Sequence, residues 1–235
     1  MLAYAQLVKK LEEIKNMDFI KTHRTGNTGI GKTLEDLLGI NENNVPGPDA
    51  KMLELKSARK NAKSMLTLFT KSPLPPKANA VLLERFGYPS AKGNNRKELH
   101  TTVNALSYNQ LKGKNGFKIA VKKNRVELIS KDSEVLGYWD KEMLKNSFER
   151  KLPRLMYVKA DCKFKGSEEE FWFNEAWILK GFDFKNFLKL LKKGVIFVDI
   201  RIGQYPDGSP HDHGTGFRVF PDKLELCFRN RKRVV

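Results

Sequence analysis

Pro48-Asp49-Ala50-Lys51-Met52-Leu53-Glu54-Leu55-Lys56 reads as a turn that delivers an aspartate, followed by a strand. Successive strand side chains point to opposite faces, so Glu54 and Lys56 share one face while Leu53 and Leu55 share the other. Asp49 enters from the turn and can close on the side of Glu54. Two carboxylates there suit a hard cation such as Mg2+, which takes oxygen ligands and keeps several waters. A lysine beside a metal-bound water and a phosphate completes a layout for hydrolysing a phosphodiester bond. The same alternation of charged and apolar residues also describes any half-exposed strand. The stretch therefore takes its meaning from the rest of the chain.

The chain has 235 residues, enough for one large domain or two small ones. Hydrophobic residues make up 40%, with three Trp and fifteen Phe, so a core can be filled. Lys plus Arg is 44 against 27 Asp plus Glu, a net charge of +17 that implies attraction to a polyanion. The basic residues are spread along the chain, which fits a folded domain with a positive face better than a disordered arm. Cys162 and Cys227 are far apart and lack the clustered ligands of a structural zinc site, so both read as reduced thiols. Residues 1–10 have no signal-peptide pattern, and no window approaches the roughly 20 apolar residues of a membrane span. A soluble, cytoplasmic protein is expected.

Outward from the opening stretch, residues 2–16 carry apolar side chains at helical spacing. Thr25-Gly26-Asn27-Thr28-Gly29-Ile30-Gly31-Lys32-Thr33 is a glycine-rich loop, with Thr33 as a helix N-cap, a helix over 34–38 and Gly39 as its stop. Residues 65–70 are rich in strand formers and are expected to pair with the strand over 51–56. Prolines at 73, 75, 76 and 89 predict mostly loop with a short helix near 81–86. Strands are predicted over 117–121, 126–129 and 135–139 as a meander, then a helix over 141–151. Two more strands follow over 155–164 and 171–179, and a helix over 182–193. Residues 195–202 form the strongest strand pattern in the chain, a continuous apolar run that then alternates. A returning strand follows over 216–220.

Gly26 to Thr33 matches the phosphate-binding pattern G-x-x-x-x-G-K-[ST] in full. That loop normally joins a strand to a helix, and Lys21-Thr22-His23-Arg24-Thr25 before it is polar and basic. The context argues against a nucleotide hydrolase. Backbone amides and Lys32 at a helix start can hold a DNA phosphate instead. Glu35 lies in the first turn of that helix and could point at the metal site.

A helix carrying Glu35, then Asp49, then Glu54-Leu55-Lys56, resembles the PD-(D/E)XK nuclease core in its MutH-like form. Together with Leu66-Thr67-Leu68-Phe69-Thr70-Lys71-Ser72-Pro73, Val198-Asp199-Ile200-Arg201-Ile202-Gly203 and His211-Asp212-His213-Gly214-Thr215-Gly216-Phe217-Arg218, it resembles the MvaI/BcnI family of restriction endonucleases. The resemblance implies an α/β fold with a mixed sheet and a two-lobed DNA clamp. The catalytic lobe would be mainly 1–75 plus part of the middle, and the recognition lobe mainly 140–225. It implies a monomer that nicks double-stranded DNA one strand at a time at a CC-centre-GG site. The cofactor would be Mg2+, with Mn2+ able to substitute, and no ATP. Asp49, Glu54 and the Leu55 carbonyl would hold the metal, Lys56 would position or activate the attacking water, and Glu35 would be an auxiliary acid. Asp199, Arg201, His211, His213 and Arg218 would read bases in the major groove, where Arg pairs bidentately with guanine and an acid accepts from cytosine N4. The stretch His211-Asp212-His213-Gly214 is more like the MvaI side of the family, which favours an A/T centre. The alternatives are a MutH-like repair nicking enzyme and an inactive relative that keeps DNA binding.

Several of these residues have blander readings. His211-Asp212-His213 lacks a third ligand for zinc. Asp199 and Arg201 can be an ion pair. The basic run 229–233 reads as a solvated tail or as nonspecific phosphate contacts, not as a targeting signal. Trp172, Trp177 and the Phe residues near 182–187 read as core, and His23 and His100 as surface residues.

Overall fold

A computed structural model describes residues 3–40, 53–91, 95–152 and 154–235. The chain divides into two compact units: Met1–Ser64 with Arg150–Phe182 and Phe228–Val235, and Met65–Glu149 with Asp183–Cys227. The fold is mixed α/β. Residues 65–75 fall in the second unit and 150–182 in the first, so the units interleave along the sequence more than two blocks split near 75 and 140 would.

The first unit is built on the hairpin of Arg154–Lys165 and Glu168–Lys180, whose strands pair antiparallel. Glu54–Arg59 lies parallel to the first of these, with Glu54 opposite Leu155 and Lys56 opposite Tyr157. The helices Tyr4–Lys15 and Gly29–Leu38 cover one face. Leu7, Leu11 and Ile14 recur at helical spacing, and they bury with Ile30, Leu34, Leu38, Leu53, Leu55 and hairpin residues such as Met156 and Phe173. Burying Leu53 and Leu55 in this layer forces Glu54 and Lys56 to the opposite face of the strand. The basic run near the end is not a free tail: Asn230–Arg233 is an exposed edge strand paired with 177–180.

The second unit holds a larger antiparallel sheet. Its path runs Leu66–Thr70, Gly216–Val219, Ile196–Gln204, Lys97–Val103 and Tyr88–Pro89, with Pro210–Asp212 added to the edge of Ile196–Gln204. Leu66–Thr70 therefore pairs with 216–219, not with the strand carrying Glu54. Lys97–Val103, in the stretch that reads as loop, is a full partner of the strongest strand. The meander of Phe117–Val121, Arg125–Ser130 and Val135–Asp140 forms as expected. Helices span Ala78–Phe86, Lys141–Lys151 and Phe184–Lys192. No helix among the described residues is long and apolar enough to cross a membrane.

Two buried groups make stability depend on alkaline pH. Burial pushes the Cys227 thiol from 9.0 up to about 12. Burial, then the neighbouring Glu175 charge, pushes the Tyr157 hydroxyl from 10.0 up to about 12. An unfolded chain ionises both groups at their ordinary values, whereas the folded chain keeps the protons. Stability is thus full below about pH 9 and falls as pH rises towards about 12. The urea midpoint should drop across that window, and Cys227→Ala with Tyr157→Phe should flatten the dependence.

Candidate active site

The face predicted for Glu54 and Lys56 exists. Glu54 is 2% exposed, and Lys56 Nζ lies 2.8 Å from its Oε1. A carboxylate buried this deeply needs charged partners. A second is Lys151, at the end of its helix, with Nζ 3.4 Å from Glu54 Oε2. Asp49 and the turn that delivers it lie outside the described residues.

Beside this pair is a cleft of about 310 Å3, lined among others by Arg24, Lys32, Glu35, Leu55 and Lys56. Glu35 and Lys56 thus meet in one cavity, although they come from a helix and a strand. The helix begins at Gly29, not at Leu34, so Glu35 sits in its second turn. Thr33 is no cap. It is fully buried, its Oγ1 donating to the Gly29 carbonyl and accepting from the His23 N–H. Gly39 does stop the helix, in the left-handed region.

This geometry gives Gly29 of the glycine-rich stretch a structural role. A Cβ on Gly29 would overlap the Arg24 carbonyl oxygen, so that glycine serves close packing of the loop on its helix. Lys32 reaches Asp36 one turn on at 2.7 Å, and His23 Nδ1 contacts the same carboxylate at 3.0 Å. The hydrogen bond from Lys32, then that from His23, holds the Asp36 carboxyl below its ordinary range. Lys32 still lines the cleft.

In the second unit, Asp199 and Arg218 are brought together by the pairing of their strands, and Thr102 arrives from the other side. Asp199 is 7% exposed. Its Oδ2 accepts from Arg218 Nη1 at 2.6 Å and from Arg201 Nε at 2.8 Å, and its Oδ1 from Thr102 Oγ1 at 3.0 Å. Arg218 Nη2 also donates to the Met65 carbonyl at 2.6 Å. The ion-pair reading of Asp199 and Arg201 is therefore present, and Arg218 shares it. His211 stacks on Tyr205 with ring centroids 4.3 Å apart, and His213 lies 4.0 Å from His211. No group of three or more His, Cys, Asp or Glu side chains placed to hold a metal ion occurs among the described residues, so the histidine pair makes no zinc site there.

The MvaI/BcnI restriction endonuclease family model matches residues 8–228. The chain belongs to the MvaI/BcnI restriction endonuclease family. With that family it is a type II site-specific deoxyribonuclease. It is similar over its whole length to two solved structures at 32% identity, each covered for 99% or more. One is described as a restriction endonuclease MvaI–cognate DNA substrate complex, with TM-score 0.88, and the other as restriction endonuclease MvaI in the absence of DNA, with TM-score 0.59. No curated protein sequence matches the chain.

Within this family member, three partners of the candidate residues escape the motif: Lys151 on Glu54, and Thr102 and the Met65 carbonyl around Asp199 and Arg218. Lys151 reads in sequence as the solvated end of an amphipathic helix. Thr102 lies in a stretch whose prolines and polar residues point to loop. Only the long-range pairing of strands reveals either.

Proposed function

We propose that this endonuclease hydrolyses double-stranded DNA at a CC-centre-GG site with an A/T centre, with Mg2+ as cofactor, Mn2+ as a substitute and no ATP. It would act as a cytoplasmic monomer, cutting one strand at a time. The observation that carries this reading is the buried Glu54 carboxylate under Lys56, beside a cleft that also holds Glu35. The DNA complex of the similar MvaI supports the choice of substrate. The unit containing Glu54 takes the catalytic role, and the unit containing Asp199 the recognition role.

The donor set fits a hard cation, because the Glu54 carboxylate and the Leu55 carbonyl offer only oxygen. With Asp49 they would hold Mg2+. When bound, the cation neutralises charge on the scissile phosphate and eases ionisation of a water. Lys56 donates towards the attacking water and orients it, while Glu54 Oε1 fixes the ammonium. Glu35, in the same cleft, serves as an auxiliary acid near the metal. Lys32 contacts a phosphate oxygen. Asp199 orients Arg218 and Arg201, and these with His211 and His213 face base edges in the major groove.

The test is incubation with phage DNA and Mg2+, with and without ATP. Discrete fragments without ATP are expected, and run-off sequencing of their ends gives the target. A gel shift with no cleavage would identify a DNA-binding relative instead. Cleavage that requires ATP would return the glycine-rich stretch to a nucleotide role.

A further inference from the structure

We propose that Asn79 and Asp212 form a positioning clamp for the segment from His211 to Arg218, and that this clamp sets discrimination between cognate and near-cognate DNA. The proposal rests on the reading that this segment faces the bases.

Asn79 is a polar residue in the apolar first turn of Ala78–Phe86, and it is 7% exposed. Its Nδ2 donates to Asp212 Oδ2 at 2.7 Å and to Thr215 Oγ1 at 3.1 Å. Its Oδ1 is buried with no hydrogen-bond partner among the described residues. Turning the amide over would set that oxygen against the Asp212 carboxylate, so charge fixes its orientation. An orphaned buried oxygen is a standing cost that alanine or leucine would avoid in this helix. Its return is that one amide ties both ends of the stretch 212–215.

The other contacts converge on the same stretch. Asp212 also accepts from Ser72 Oγ at 3.1 Å and from the Gly214 N–H at 2.8 Å. Thr215 is fully buried, and its carbonyl accepts from the Lys71 N–H at 2.9 Å. The His213 N–H donates to the Arg201 carbonyl at 3.0 Å. Without these ties His211 would hang on a three-residue edge strand, Pro210–Asp212, which is weakly specified alone. On one side of the clamp stand His211, stacked on Tyr205, and His213, and on the other the strand carrying Arg218. Base reading needs such groups held to within a fraction of an ångström by neighbours that never touch the ligand. Asp212 is thus a positioning residue, although its place between two histidines suggests direct contact.

The test measures single-turnover kcat/KM on the cognate duplex and on duplexes with one mismatched base pair, together with Tm for each variant. Asn79→Ala and Asp212→Asn should lower the cognate-to-mismatch ratio by about tenfold. The maximal rate at saturating cognate DNA should stay within about threefold. The exchanged pair N79D/D212N, which restores a donor facing an acceptor, should recover part of the ratio. Ser72→Ala, which removes one exposed hydrogen bond, should move it the same way by less and serves if Asn79→Ala does not fold. An unchanged ratio in folded variants, or an equal loss on all duplexes, would overturn the clamp. If His211→Ala and Arg218→Ala also leave the ratio unchanged, the base-reading assignment fails first and the clamp falls with it.

Discussion

Lys56→Ala should lower the cleavage rate by about 10³-fold or more while DNA affinity stays within a few-fold, since a positioned proton-handling group contributes roughly 10²–10⁴. Lys56 Nζ lies 2.8 Å from a carboxylate that is 2% exposed, and the same side chain lines the cleft with Glu35. In the proposed mechanism its ammonium acts at the reacting atoms and adds little contact area to DNA. The variant also takes one of two cations from a buried acid, leaving Lys151 at 3.4 Å. Breaking a buried pair in this way costs about 3–5 kcal/mol, so loss of activity must be separated from loss of fold. Glu54→Gln keeps volume and leaves no buried carboxylate, and the double variant K56M/E54Q removes the acid and an ammonium together. All three should be inactive, and the double variant should recover Tm relative to Lys56→Ala. Asp49→Ala should match them in activity. Single-turnover nicking of supercoiled plasmid gives the rates. A Lys56→Ala enzyme that cuts at the wild-type rate would place the chemistry elsewhere.

The sharing of one strand face by Glu54 and Lys56 was legible because a period of two needs no tertiary information. Helix existence was legible for the same reason: Leu7, Leu11 and Ile14 sit a turn apart whatever they pack against. What failed was partnership across long separations. Leu66–Thr70 finds 216–219 about 150 positions later, and Lys151 reaches Glu54 from 97 positions away. Local pattern holds nothing about either. Glycine misled in one place: Gly29 and Gly31 read as loop, yet they lie inside a helix whose first turn packs too tightly for a side chain at Gly29. The edge strand Asn230–Arg233 is exposed at every residue, so it offered no alternation and read as tail.

Asp199→Asn should separate architecture from base reading in the second unit. Three donors converge on Asp199: Arg218 at 2.6 Å, Arg201 at 2.8 Å and Thr102 at 3.0 Å. Arg218 is itself mostly buried, its side chain 15% exposed, and its Nε has no hydrogen-bond partner among the described residues. Neutralising Asp199 removes the negative charge facing that guanidinium and leaves it only neutral oxygens, the new amide's and the Met65 carbonyl, of the partners described above. The expected cost is about 3–5 kcal/mol, and at roughly 2–4 °C per kcal/mol for a chain this long, Tm should fall by about 6–20 °C. Arg218→Ala should cost less stability, because Asp199 keeps Arg201 and Thr102. Both variants should relax base choice, Arg218→Ala by about 1–3 kcal/mol at the position it reads. Neither should greatly change the slope of log affinity against log salt, which counts phosphate contacts and not base contacts. Affinity across a panel of single-mismatch duplexes at two salt concentrations measures base choice and salt slope, and thermal unfolding of each variant measures the change in Tm. If Asp199→Asn loses stability while discrimination survives, the cluster is a structural ion pair. A uniform loss with a shallower salt slope for Arg218→Ala would instead make that arginine a phosphate contact.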